Sequence, residues 1–116
     1  MIRRLLAVAA LSALAACDTS PEPAVLTDAS PETMIRLRDA LATALGRSTV
    51  TLGAGDVTAT PEVVVLPPAV TPLEGNSTAM PVVFDIILQD GDCYVRRRGT
   101  QDLVPVTDVT CNPATP

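Results

Sequence analysis

Apolar positions along this chain change their spacing three times, and each change marks an element. Leu5 to Ala16 is an apolar run, broken only by Ser12, behind Arg3 and Arg4. Asp18 to Ala29 keeps no period and carries Pro21 and Pro23, which predicts a flexible tether over 17–29. From Met34 the spacing turns helical: Met34, Leu37, Leu41, Ala44 and Leu45 fall on one stripe. Ser30 suits the N-cap, Pro31 the first turn and Glu32 the positive end of the helix dipole. Glu32 and Arg36 stand four residues apart, a favourable pair, and Gly46 is placed to end the helix in a left-handed turn. The stripe can dock a partner or cover a sheet. Covering a sheet is favoured, because so small a domain needs every apolar face it has.

Beyond Gly46 the spacing becomes strand-like. Thr49–Leu52 is β-prone, and Glu62–Leu66 reads as a strand stopped by Pro67-Pro68. The stretch 67–81 is then a long loop, of the kind that is usually functional or mobile. Next comes a hairpin: Pro81–Leu88, a turn at Asp90-Gly91, and Cys93–Arg98. A two-residue turn there sets Leu88 against Cys93, Ile86 against Val95 and Asp85 against Arg96. Phe84, Ile86, Leu88, Cys93 and Val95 then share the core face. Val83, Asp85, Ile87, Tyr94, Arg96 and Arg98 share the other. Arg97 falls on the core face and has to reach water past the strand's end. Gly99–Asp102 turns the chain into a last strand, Leu103–Val109, which Pro105 marks as an edge. Asn112–Pro116 reads as a disordered tail. The sum is an α+β domain over 30–111, with one N-terminal helix packed on an antiparallel sheet of four to five strands.

Composition narrows the chemistry. There is no His and no Lys, so imidazole acid–base catalysis, Ser–His or Cys–His nucleophiles and Schiff-base lysine are excluded. Cys93 and Cys111 without His offer too few ligands for zinc, and no phosphate-binding glycine loop is present; we expect no metal, no cofactor and no enzyme. Thirteen acidic residues outnumber eight Arg, which argues against nucleic acid. The core must be aliphatic, since Phe84 and Tyr94 are the only aromatics.

The N-terminus resembles the signal sequence of bacterial lipoproteins. Arg3 and Arg4 give the charged start, and the apolar run is shorter than the roughly 20 residues a membrane-spanning helix needs. Leu14-Ala15-Ala16-Cys17 matches the lipobox. The resemblance covers residues 1–18 only. It implies cleavage of 1–16, acylation of Cys17 and anchoring on the periplasmic face of a bacterial membrane. Asp18 slightly favours the inner membrane. The alternative is an ordinary signal peptide cut after Ala16. Loss of the leader leaves six Arg against the thirteen acidic residues, a net charge of about −7.

With Cys17 assigned to lipid, Cys93 and Cys111 remain as an even pair suited to a disulfide in an oxidising compartment. A tight turn at Gly99–Asp102 sets Cys93 near Asp108, so the chain must curl back by about three residues, or bulge, to bring Cys111 within bonding range. Arg96-Arg97-Arg98 is the one basic cluster. It can hold a carboxylate, a phosphate or an acidic partner, and Tyr94, Arg96 and Arg98 are the candidate contacts. The favoured alternative is edge charge neutralised by Asp85 and other acids. Asp85 itself fits a strand residue paired across the ladder better than a catalytic acid. The expected function is that of a lipid-anchored binding or envelope-assembly module with an envelope protein as partner. The alternative is a protease inhibitor presenting the 67–81 loop.

Overall fold

Helix α1 (Pro31–Leu45) forms where its caps and stripe place it. The Ser30 hydroxyl accepts from the Thr33 N–H at 3.3 Å, satisfying one of the free donors of the first turn. Gly46, at φ 66°, closes the other end and donates to the Ala42 and Thr43 carbonyls, a conformation that costs glycine least. The computed structural model describes residues 20–68 and 80–114. The leader, Cys17, Asp18 and most of the 67–81 loop lie outside the described residues.

Six strands accompany the helix: β1 (Glu22–Leu26), β2 (Glu62–Val65), β3 (Val82–Gln89), β4 (Asp92–Arg97), β5 (Leu103–Pro105) and β6 (Cys111–Pro113). Their order is β5-β4-β3-β1-β6, with β2 also on β3 and every pairing antiparallel. The β3–β4 register matches the hairpin reading: Leu88 faces Cys93, Ile86 faces Val95, Asp85 faces Arg96 and Phe84 faces Arg97. Asp90 (φ 54°) and Gly91 (φ 83°) both take the positive φ that the two-residue turn demands. The free edge of β3 is divided. β2 occupies Val82–Asp85 and β1 occupies Ile87–Leu88, while the Ile86 N–H between them donates to the Pro61 carbonyl at 3.0 Å.

Leu37 and Leu41 of α1 are fully buried on the same side of the sheet as Phe84, Ile86, Val95, Val63 and Val65. Phe84 is the largest of these side chains. The core is otherwise aliphatic, as the composition requires.

The fold class stands, but the strand count rises to six, because two segments read as unstructured are strands. β1 lies within the expected tether 17–29, and β6 begins the expected tail 112–116. Ala24 and Leu26 point into the core at 0% and 1% exposure, and Leu26 sits opposite Cys111. Neither segment shows a local signal, because each is short, carries a proline and is stabilised by a partner far away in sequence. Thr49–Leu52 forms no strand; it contributes one bridge, Leu52 to Val65. The last expected strand, 103–109, is only three residues long. Its register with β4 puts Cys93 opposite Val106, whose N–H it accepts at 2.9 Å, two residues from the Asp108 position that the sequence suggested. The chain then turns through Asp108, at φ 57°, and curls back into β6.

That curl brings Cys111 to Cys93, and the two are disulfide-bonded with Cα atoms 5.8 Å apart. The bridge closes an 18-residue separation. In the chain-entropy account it contributes about 3 kcal/mol, a large share of what so small a core provides. Replacing Cys93 and Cys111 together by Ala is expected to lower unfolding stability by about that amount, read as a shifted denaturant midpoint. Phe84→Ala is expected to cost about 3–5 kcal/mol in the same assay, enough to leave the domain largely unfolded.

Acid sensitivity follows from the start of α1. The Ser30 hydroxyl and N–H, with the Thr33 hydroxyl, hold the Asp28 carboxyl below the usual carboxylate range. A carboxyl lower in the folded than in the unfolded state contributes fully above its unfolded value, about 3.9, and that contribution disappears as pH falls through the folded value. Carboxyl NMR titration is expected to show Asp28 ionising below the ordinary aspartate value of about 3.9. Asp28→Asn is expected to weaken the dependence of stability on pH below about 4.

Candidate functional site

The sheet face turned away from α1 carries the three contact residues anticipated from sequence. Alternation along β4 puts Tyr94 and Arg96 on this face, and Arg98 follows just past the strand's end. Ladder pairing arranges them in rows. Pro23, Ile87, Tyr94 and Pro105 make one row; Glu62, Asp85, Arg96 and Leu103 make the next. The first row is apolar, and Ile87 is only 2% exposed although it faces away from the helix. Tyr94, half-buried between Ile87 and Pro105 in its row, extends that apolar strip.

The second row is an ion network. Arg98 Nη2 donates to Asp85 Oδ1 and to Glu62 Oε2, each at 2.7 Å. Arg96 Nη2 stands 3.6 Å from Asp85 Oδ2. Asp85 therefore spends one oxygen on each arginine, and its diagonal contact with Arg98 is the shorter of the two. Its side chain is 21% exposed and that of Arg96 26%, so the centre of the network is partly shielded from water. The two carboxylates hold the Arg98 guanidinium firmly in its charged form by raising its pKa. Two acids and two arginines leave no net charge. Capture of an outside anion by Arg96 and Arg98 would have to displace their own carboxylates, so the geometry favours neutralised sheet charge.

Sequence reasoning paired Asp85 with Arg96 correctly and missed Glu62. The signal for Glu62 lay in the β2–β3 pairing, which no turn residue dictates across the intervening loop. Sequence reasoning also missed a cleft of about 410 Å³ between α1, the 52–55 turn and β2, lined by Met34, Arg38, Leu52, Val57 and Val63 among others. The 67–81 loop of the inhibitor reading offers no geometry here, since residues 69–79 lie outside the described residues. Comparison with known protein families, curated proteins and solved structures gives no match to this chain.

Asp85→Asn is expected to cost about 1 kcal/mol, because it takes a partner from two arginines at a partly shielded site. Arg96→Gln, at the longer contact, is expected to cost less. Denaturant midpoints at low and high salt check both, and the Asp85→Asn loss is expected to shrink as salt rises.

Proposed function

We propose that the protein is a lipid-anchored periplasmic module that binds a partner or supports envelope assembly and performs no chemistry of its own. The observation that carries this reading is Leu14-Ala15-Ala16-Cys17 at the end of an apolar leader. The disulfide supports it: once Cys17 is assigned to lipid, the other two cysteines are bonded to each other, as an oxidising compartment allows. A diacylated cysteine anchors stably with no protein segment in the lipid, whereas a single acyl chain binds only marginally.

β1 revises how such a module would be held. A tether reaching to Ala29 would span about 40 Å, but the first strand starts at Glu22. Five residue steps from Cys17 reach at most about 18 Å. In this reading the domain works beside the headgroups. The end of the sheet nearest the bilayer is the one where Glu22 pairs with Leu88, next to the Asp90-Gly91 turn.

Cys17→Ser is expected to abolish labelling by a radioactive or clickable fatty acid, to leave the precursor uncut and to release no mature protein into the membrane fraction. Unchanged acyl labelling of that variant would refute the anchor. Normal processing without any acyl label on the natural chain would favour the ordinary signal peptide.

A further inference from the structure

Arginine is scarce in this acidic chain, and how each one is used is informative. Arg36 bridges Glu32 and Asp108 at 3.4 and 3.3 Å, Arg96 and Arg98 belong to the outer network, and Arg47 reaches the Leu66 carbonyl. Like the exposed Arg97, Arg38 has no ion pair or side-chain hydrogen bond among the described residues, although the chain holds thirteen acidic residues. It stands on α1 at the cleft of about 410 Å³. Val57 and Val63 form a buried floor, 6% and 5% exposed, and Met34 and Leu52 are half-buried walls. Glu62 is the other charged residue of the lining, and Arg98 already holds its carboxylate at 2.7 Å. The cleft thus combines aliphatic walls, one uncompensated positive charge and the volume of a small-molecule site.

We propose that this cleft binds the carboxylate of a short aliphatic acid, with the anion on Arg38 and the chain against Val57, Val63 and Met34. A single free guanidinium matches a monoanion, and donates to a carboxylate through a bidentate fork. A phosphoryl dianion would leave one of its two charges without a cationic partner in the lining. The lining holds no aromatic side chain to stack on a ring. Two sources present this chemistry: a free fatty acid, and the C-terminal carboxylate of a peptide ending in an aliphatic residue. The proposal deepens the reading as a binding module and rests on it, but it does not depend on the lipid anchor. Acyl labelling of Cys17 and ligand binding in the cleft therefore succeed or fail separately.

The test uses the full chain in phospholipid nanodiscs, with Met, Val and Leu methyl groups labelled for NMR and empty nanodiscs as the blank for partitioning. Octanoate, N-acetylleucine, octanol and acetate are titrated in parallel. Saturable shifts of the Met34, Val57 and Val63 methyls with octanoate or N-acetylleucine, and not with octanol or acetate, are expected. The tighter of the two acids identifies the source. Arg38→Gln is expected to weaken binding by about tenfold or more, with Arg38→Lys intermediate and the Val95 methyl signal unmoved in both. Ala54→Phe, which fills the cleft from an exposed position, is expected to block binding with Arg38 intact. Equal responses to octanoate and octanol, unchanged affinity in Arg38→Gln, or no shift up to about 10 mM acid would overturn the proposal.

Discussion

The register of the β3–β4 hairpin is the constraint on which the other elements depend. Because side chains alternate across a strand, a slip of one residue at Asp90-Gly91 would set the apolar face of one strand beside the polar face of the other, turning out either Phe84 and Ile86 or Val95 and bringing in either Asp85 or Arg96. That outcome is costly in both directions, through lost apolar burial and through buried charge. With the register fixed, β3 and β4 present one continuous apolar face on the side of the sheet that α1 covers. β3 also offers two separate edge segments for β1 and β2, and β4 holds Cys93 at the right height for the bridge to β6. A core with one aromatic ring has little excess burial with which to absorb an error of this kind.

What was legible in the sequence was whatever is encoded locally. Ser30, Pro31 and Gly46 announce α1 because caps act within one turn of the helix. Asp90-Gly91 announces the hairpin because both turn positions need positive φ. The disulfide was legible by counting cysteines. β1 and β6 were not legible. Pro23-Ala24-Val25-Leu26 and Cys111-Asn112-Pro113 resemble loops on their own and become strands only against each other and against β3. The register of β5 was set two residues away from expectation because the turn after Arg97 is tighter than Gly99–Asp102 suggested, with the Thr100 N–H closing onto the Arg97 carbonyl at 3.0 Å. The candidate contacts Tyr94, Arg96 and Arg98 were correctly placed on one face. Their electrostatic state depended on Glu62, a residue that only the tertiary pairing brings near.

The charge distribution has a simple logic. On the outer sheet face Arg96 and Arg98 are consumed by Asp85 and Glu62, which leaves a locally neutral surface on an acidic protein, while Arg97 at the end of β4 is exposed and has no ion pair among the described residues. Such surfaces resist non-specific capture of anions while keeping the strands soluble. Arg38, unpaired and exposed, lies instead beside a concavity with an aliphatic floor.

The pairing of β1 with β6 also bears on when this chain can fold. Leu26 and Cys111 are neighbours in space and lie at opposite ends of the sequence. Nothing synthesised or translocated before Cys111 can complete the outer edge of β1, and contacts this distant close slowly. In a chain exported from its N-terminus, the sheet would therefore stay incomplete until Cys111–Pro113 emerged. On the trans side those residues would bring both the missing strand and the second thiol together. The same feature that hid two strands from sequence reading would thus delay completion of the sheet in any N-terminus-first passage.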